Sequence, residues 1–349
     1  MVDYDQGAMF DELGRKYERG DGVVQSDSEA LHWFLQAAHH GNVHARHSSG
    51  VFYESGRGVK ASDREAAHWY RLAADMGDSW SQLRLGRLYK SGRGVSHDHQ
   101  QAAQLFRLAA DQGLADAQIE LGALYDQGLG VPKDAEQAVA LFRQAAEQRN
   151  PTAEYYLALC YARGTGVRKS DVTAAHWYRL AATQGHSAAQ NDYGSMHARG
   201  RGVIRSDDEA IRWFRLAAEA GNANGQYNLG LFFATGRGGV RSDSDALHWY
   251  RLAANQGSNA ARNGLAQFFE DGRAVEQNDA EAVRLYQFAA DADYAPSQCN
   301  LGRMYELGRG VATSLTDAVM WYERAAKNGS KLATEALRRL RDDKSTADS

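Results

Sequence analysis

The chain contains twelve histidines, which can bind a metal ion or exchange a proton near neutral pH. Four of them cluster at His39, His40, His44 and His47, and the last two lie one helical turn apart. A structural metal site requires three or four fixed ligands, however, and Gly41 interrupts the helix between the two pairs. We therefore expect no metal site and no cofactor.

Four other histidines occur directly before a tryptophan, at one position of a repeated segment: His32, His68, His176 and His248. Catalysis requires a few unlike groups in one enclosed site, whereas these side chains repeat along an open surface. The two cysteines, Cys160 and Cys299, lie far apart and occupy different places in the repeat, which argues against a disulfide framework. The sequence therefore favours a protein that is not an enzyme.

A row of arginines is the main candidate for anion binding, because each arginine lies in a glycine-containing turn: Arg57, Arg93, Arg201, Arg237, Arg273 and Arg309. Two interpretations are open. The guanidinium groups form local ion pairs or cap backbone carbonyls, or they form a track for an anion or a nucleic acid. The turns are not phosphate-binding loops, since no Gly-Lys-Ser/Thr follows them. The net charge of −4 argues against a nucleic-acid partner.

These residues are positioned by a 36-residue unit that occurs nine times between Gly7 and Ser330, without insertion or deletion. Every unit contains an Ala-Ala pair and, at a second fixed position, a glycine: Gly20, Gly56, Gly92, Gly128, Gly164, Gly200, Gly236, Gly272 and Gly308. A fixed period of this length indicates stacked units that bury their apolar faces against their neighbours. The chain is therefore expected to form one elongated domain with a large surface.

Each unit predicts two helices. In the fourth unit Ala117, Leu121 and Leu124 follow helical spacing, and Gly128 ends this helix, which we name helix A. Gly122 lies on the same face, where the missing side chain allows close approach of the next helix. The second helix, helix B, begins at a column of favoured N-cap residues: Ser26, Ser62, Asp98, Asp134, Ser170, Ser206, Ser242, Asn278 and Ser314.

The order of the recurring residues resembles the Sel1-like repeat family, which is related to the tetratricopeptide repeats. The third unit shows the pattern throughout, with Leu85-Gly86, Tyr89, Gly92-Arg93-Gly94-Val95, Ala102, Leu105-Phe106, Ala109-Ala110 and Gly113. The resemblance implies an all-α, right-handed superhelical solenoid of nine 36-residue helix-turn-helix repeats plus a C-terminal capping helix. The predicted repeats are 7–42, 43–78, 79–114, 115–150, 151–186, 187–222, 223–258, 259–294 and 295–330, followed by a cap at 331–342 and a polar tail at 343–349.

The resemblance also implies a function. It points to a non-catalytic scaffold or adaptor that binds a partner protein or peptide in the concave groove lined by the A helices. The alternative is a bacterial immunity protein that binds and neutralises a secreted toxic effector. The identity of the partner is left open.

Residues of helix A that turn away from its packing face predict the groove. The first A-helix row contains Asp11, His47, Leu83, Ile119, Tyr155, Asn191, Tyr227, Asn263 and Cys299. The second contains Arg15, Val51, Arg87, Ala123, Leu159, Ser195, Leu231, Gln267 and Arg303. Trp80 is the one tryptophan outside the helix B positions, and exposed tryptophans are frequent interface hot spots.

We predict that the partner is bound by Trp80, Leu83, Arg87, Ile119, Tyr155, Leu159, Tyr227 and Leu231. The alternative for each apolar side chain is that it fills the contact between neighbouring A helices. Apolar residues at helical spacing are equally typical of both roles.

Expectations for the surroundings of the chain are simple. No apolar run approaches the roughly 18 residues of a membrane-spanning helix, so no span is expected. The N-terminal residues lack the apolar stretch of a signal peptide. We expect a cytoplasmic location for the chain as written, or a periplasmic one if a leader was removed, and a monomer when free.

Overall fold

The computed structural model describes residues 4–239 and 241–347. Within these ranges the regular secondary structure is entirely α-helical, which confirms the predicted all-α repeat fold. The helices are α1 (Tyr4–Arg19), α2 (Asp27–His39), α3 (Val43–Ser55), α4 (Asp63–Ala74), α5 (Ser79–Ser91), α6 (His99–Asp111), α7 (Ala115–Gln127), α8 (Ala135–Glu147), α9 (Pro151–Arg163), α10 (Asp171–Thr183), α11 (Ser187–Arg199), α12 (Asp207–Glu219), α13 (Ala223–Thr235), α14 (Asp243–Asn255), α15 (Asn259–Asp271), α16 (Asp279–Asp291), α17 (Ala295–Leu307), α18 (Leu315–Lys327) and α19 (Lys331–Ala347).

Odd-numbered helices up to α17 are the A helices of the repeats, and even-numbered ones are the B helices. The expected N-caps form: the hydroxyl of Ser62, for example, accepts the Glu65 amide at 3.3 Å. Glycines end the A helices in the left-handed conformation, with φ of 70° at Gly92. The last helix extends to Ala347, beyond the end predicted at Asp342, and residues 348–349 of the predicted tail lie outside the described residues.

The chain divides into two compact units, Met1–Trp177 (unit 1) and Tyr178–Ser349 (unit 2), and each is described by itself. In both, the core lies between the A and B helices and is built from the paired alanines and aromatic rings, one of which occurs at the same place of helix B in every repeat. In most repeats a glycine in helix A provides the space for that ring. A Cβ atom added at Gly86 would lie 2.6 Å from the ring of Phe106, and one at Gly122 would lie 2.7 Å from that of Phe142. The predicted close approach at Gly122 is therefore confirmed.

Ion pairs at the turns connect neighbouring repeats. The guanidinium of Arg93 donates to both carboxylate oxygens of Asp63, at 2.6 and 3.0 Å, and Arg57 binds Asp27 in the same way. The equivalent pairs in unit 2 are Arg237–Asp207, Arg273–Asp243 and Arg309–Asp279. Each aspartate lies thirty residues before its arginine, at the start of the preceding B helix. We name each such pair a turn clamp, and it is the local ion pairing that the sequence left open.

Glutamine side chains form a second connection. Gln118 donates to the carbonyl of Ala110 at 3.4 Å, and Gln148 then donates to the Oε1 atom of Gln118 at 3.1 Å. The same two steps occur with Gln82 and Gln112 in unit 1 and with Gln226 and Gln256 in unit 2. These buried amides are satisfied across repeat boundaries, as buried polar groups require.

Candidate partner-binding surface

The first A-helix row lies mostly inside the protein, which corrects part of the prediction. In unit 1, Leu83 is fully buried in a hydrophobic cluster with Phe106 and Leu121. Ile119, on α7, retains an exposed fraction of 9% and belongs to a cluster with residues of α8 and α9. Both side chains fill the contact between neighbouring helices, so they offer little surface to a partner.

Polar residues of the first row are buried for the same reason. In unit 2 the Nδ2 atom of Asn228 donates to the Oδ1 atom of Asn191 at 2.8 Å, and Asn300 donates to Asn263 at 3.0 Å. Asn191 and Asn263 are both buried. Adjacent A helices therefore meet along this row, and it is the second row that borders solvent.

Trp80 is exposed, as a partner-binding residue must be. It lies in the first turn of α5, directly after the N-cap region, and half of its side chain (50%) is accessible to solvent. Equivalent positions of the other repeats carry smaller or polar residues: Ala8, His44, Asp116, Thr152, Ala188, Asn224, Ala260 and Pro296. The large indole is thus a property of this repeat and is not required by the fold.

Arg87 is held in place by carboxylates of the next A helix. Its Nε atom donates to Glu120 at 2.8 Å, and Lys90 donates to the other carboxylate oxygen at 2.9 Å. Asp116 accepts a longer bond from Arg87 at 3.4 Å. Burial acts to raise the pKa of Glu120, but the hydrogen bonds from Lys90 and Arg87 lower it overall. Glu120 is therefore ionised at neutral pH, and the three charges form a fixed pattern on α5 and α7.

The remaining predicted residue pair of unit 1, Tyr155 and Leu159, lies on α9 and is half-buried. The ring of Tyr155 is 6.1 Å from that of Tyr156, which stacks on Phe142 at 4.9 Å. Tyr155 and Leu159 therefore present an apolar edge that rests on the core. Trp80, Arg87, Tyr155 and Leu159 are all carried by A helices of unit 1.

Tyr227 and Leu231 lie on α13 in unit 2, where they are also half-buried. The ring of Tyr227 stacks on Tyr250, with centroids 5.9 Å apart, and burial raises the pKa of the Tyr227 hydroxyl. Leu231 packs against the hydrophobic cluster that contains Tyr250. Both residues contribute to packing and leave only an edge accessible.

The clustered histidines bind neighbouring helices. The Nδ1 atom of His44 lies 2.7 Å from an oxygen of Asp11. His47 lies 2.9 Å from the hydroxyl of Ser81 and 3.4 Å from a carboxylate oxygen of Asp78. Within the described residues, no group of three or more His, Cys, Asp or Glu side chains is arranged to hold a metal ion. The histidines diverge toward different partners.

Every repeat of this helix pair matches the Sel1 repeat family model, over residues 12–42, 44–78, 81–114, 115–150, 151–186, 187–222, 223–258, 259–294 and 295–330. The chain belongs to the Sel1 repeat family. Two Sel1-type crystal structures are similar along most of its length. The first is a protective antigen present in uropathogenic Escherichia coli strains, with 28% identity and a TM-score of 0.65, covering 97% of this chain and 80% of the other. The second is a Sel1 repeat protein from Oxalobacter formigenes, with 29% identity and a TM-score of 0.63, covering 89% and 90%.

More distant structures are also matched. The immunity protein Pa5087 from Pseudomonas aeruginosa is 18% identical, with a TM-score of 0.38, over 71% of this Sel1 repeat chain and 81% of the other. At this distance the likeness does not support an immunity role. Curated proteins give no significant match. Among the described residues, no helix combines the length and apolar character needed to cross a bilayer.

Proposed function

We propose that this Sel1 repeat protein is a non-catalytic scaffold or adaptor that binds a partner protein or peptide through the A helices of unit 1. The observation that supports this most directly is the exposure of Trp80 at a position where no other repeat carries a large aromatic residue. An exposed indole is costly to leave in water and is the residue type most enriched in binding hot spots.

Other residues on the A helices of unit 1 suit a binding surface. Arg87, Lys90 and Glu120 are already fixed by mutual ion pairs, so little side-chain entropy is lost when a partner contacts them. Tyr155 and Leu159 offer apolar edges on the same set of helices. We propose Trp80, Arg87, Tyr155 and Leu159 as the contact residues in unit 1.

Unit 2 carries a second, smaller group of candidate contacts, Tyr227 and Leu231. We propose that their accessible edges also touch a partner, but that each contributes less than Trp80 because most of its surface is already used in packing. Truncation of either side chain is therefore expected to affect stability as well as binding.

Site-specific photo-crosslinking tests this proposal whatever the identity of the partner. A photoreactive phenylalanine derivative replaces Trp80 in the native host, and a matched variant carries it at Ile204, which is 89% exposed in the loop before α12. We expect one covalent product from position 80 that is absent from position 204. Labelling of the same protein from both positions would contradict a specific surface at Trp80.

The partner so identified allows a quantitative test. Trp80→Ala is expected to weaken binding about tenfold or more, corresponding to about 2 kcal/mol for a hot-spot tryptophan, with unchanged melting. Ile204→Ala is the control and leaves the affinity unchanged. Rescue of cells that express the partner as a toxin would identify the immunity form of this function, and its absence the adaptor form.

A further inference from the structure

A crevice of about 500 Å³ lies in unit 2 between α14 and α16, above α15. Its floor is apolar and is formed by Leu265, Phe269 and Leu285. Phe288 stands at the rim with 53% of its side chain exposed. The crevice thus offers a place for an apolar side chain and an exposed aromatic ring beside it.

Arg251, which also lines the crevice, lacks the bond that equivalent arginines make. In unit 1 the guanidinium groups of Arg71 and Arg107 donate to tyrosine hydroxyls eighteen residues later, at 2.9 and 2.5 Å. The residue eighteen positions after Arg251 is Phe269, which has no hydroxyl. Within the described part of the chain, Arg251 has neither a hydrogen bond nor an ion pair.

Two further departures from the repeat make the crevice basic. Arg262 occupies a column in which five repeats have glutamine: Gln82, Gln118, Gln190, Gln226 and Gln298. Asn255 occupies a column that is usually acidic: Asp75, Asp111, Glu147, Glu219 and Asp291. The guanidinium of Arg262 donates to the neutral side chain of Asn259 at 3.0 Å and lies 6.0 Å from the centre of the Phe288 ring, and no carboxylate among the described residues forms an ion pair with it.

The charge of the third arginine in the crevice is already balanced. Arg284 binds both carboxylate oxygens of Glu281, at 2.6 and 2.7 Å. Two uncompensated guanidinium groups, those of Arg251 and Arg262, therefore border the apolar floor. Planar guanidinium groups match carboxylates, with which they form two parallel hydrogen bonds.

We propose that this crevice binds an acidic peptide segment that carries an aromatic side chain, with the ring on the apolar floor and flanking carboxylates on Arg251 and Arg262. This surface is independent of Trp80 and goes beyond the function proposed above. A peptide fits better than a nucleic acid, because the two guanidinium groups flank an apolar floor, which matches a short acidic segment with an apolar side chain, whereas a nucleic acid needs a run of cations along its continuous phosphate backbone.

The probe is a fluorescein-labelled pentapeptide with phenylalanine in the centre and two glutamates on each side, measured by fluorescence anisotropy on the full chain. We expect saturable binding that weakens with salt. Replacement of the central phenylalanine by glycine, or of the glutamates by lysines, is expected to weaken binding about tenfold or more. A fluorescent RNA oligonucleotide is expected not to compete.

Two variants test the arginine directly. Arg251→Gln removes the charge, and we expect about tenfold weaker binding. Phe269→Tyr leaves the charge intact but supplies the hydroxyl that occupies the equivalent arginines of unit 1, so it is also expected to weaken binding. The control is Arg107→Gln, which removes the equivalent arginine of unit 1. In the wild type this arginine is bound to Tyr125, and the residues equivalent to Asn255 and Arg262 are Asp111 and Gln118 there.

Several results overturn the proposal. One is an absence of saturable binding of the peptide to the wild type. A second is an unchanged affinity of both Arg251→Gln and Phe269→Tyr. A third is an equal loss of affinity in Arg251→Gln and Arg107→Gln, which would show a general charge effect. Equal binding of the glycine peptide would exclude the apolar floor. Arg251 is exposed, so its replacement leaves folding intact and circular dichroism verifies this. Competition by the RNA would replace the peptide with a nucleic acid as the occupant.

Discussion

Replacing Ala220 by glutamine is expected to stabilise unit 2, because it completes a hydrogen-bond chain that is interrupted there. Gln190 donates to the carbonyl of Ala182, as its equivalents do, but its Oε1 atom is buried without a hydrogen-bond partner among the described residues. Elsewhere that oxygen is satisfied by a glutamine or asparagine thirty residues later. At this place the residue is Ala220, which is exposed at the end of α12.

The size of the effect follows from two opposing contributions. A buried acceptor without a partner costs about 1–3 kcal/mol. Ordering the new glutamine side chain costs on the order of 1 kcal/mol or more in rotamer entropy. The backbone needs no change, since φ and ψ are −75° and 8° at Ala220 and −83° and 5° at Gln256. We expect a net gain of about 1 kcal/mol in the free energy of unfolding.

The assay is urea denaturation monitored by circular dichroism, together with amide hydrogen exchange to localise the gain in α11 to α13. Ala292→Gln is the matched control. It occupies the same place in the repeat, but the residue thirty positions earlier is Arg262, which offers no acceptor. The reverse variant, Gln256→Ala, is expected to lose stability by leaving the Oε1 atom of Gln226 unsatisfied.

Equal effects of Ala220→Gln and Ala292→Gln on the urea midpoint would refute this reasoning. The gain would then come from helix propensity or surface polarity. A gain that persists when Gln190 is replaced by leucine would lead to the same conclusion, because the acceptor is then gone. A double-mutant cycle of Ala220→Gln and Gln190→Leu isolates the contact if the two substitutions show a coupling energy of about 1 kcal/mol.

Three further predictions follow from individual contacts. Arg149 lies just beyond the end of α8 and has φ of 60°, so Arg149→Gly is expected to stabilise the protein by about 0.5–1 kcal/mol in urea unfolding, and a loss of stability would contradict backbone strain at this residue. Gly86→Ala places a Cβ atom against the ring of Phe106 and is expected to lower the free energy of unfolding by about 1–3 kcal/mol, and by less when Phe106→Leu is also present. An unaltered melting temperature would exclude tight packing at this contact. Burial opposes ionisation of Asp78, but hydrogen bonds from His47 and Ser81 lower its pKa to about 2. The contribution of the ionised carboxylate to the stability of the fold is therefore complete above about pH 4 and is lost as the pH falls toward 2. We expect Asp78→Asn to lose about 1–2 kcal/mol at pH 7, after allowance for solvent screening, and to flatten the acid limb of a stability profile; an unchanged limb would refute this.

The repeat architecture was predictable because the sequence contains the same local instructions nine times. Capping serines and aspartates, turn glycines and paired alanines act within one helix pair, and each has a local physical reason. The glycine beside the core ring was also predictable, since a residue without a side chain on an apolar face indicates close approach.

The candidate binding surface was less predictable, because two faces of helix A have the same apolar spacing. One face meets the neighbouring A helix and the other meets solvent, and periodicity does not separate them. Leu83 and Ile119 were assigned to the wrong face for this reason. Asn191 shows that a polar residue is no better guide, since it is buried against Asn228. Trp80 was recognisable because it departs from its column.

The turn clamps could have been found from the sequence by comparing two columns. Wherever the turn residue is arginine, the residue thirty positions earlier is aspartate. After the first repeat, the turns that lack arginine have Leu129 and Thr165, and the matching earlier residues are His99 and Ala135. Both members of the pair change together, as expected for a charge that needs its partner.

The gaps in this series give unit 1 an uneven resistance to opening. Stacked repeats separate first at their weakest interface, since each repeat is stabilised only by its neighbouring repeats. The interfaces at Leu129 and Thr165 lack the ionic fastening that Arg57 and Arg93 provide nearer the N-terminus. Thermal fluctuation or mechanical pull will therefore loosen α6 to α9 before α2 to α5. A ligand that contacts helices on both sides of such an interface would stabilise it against opening.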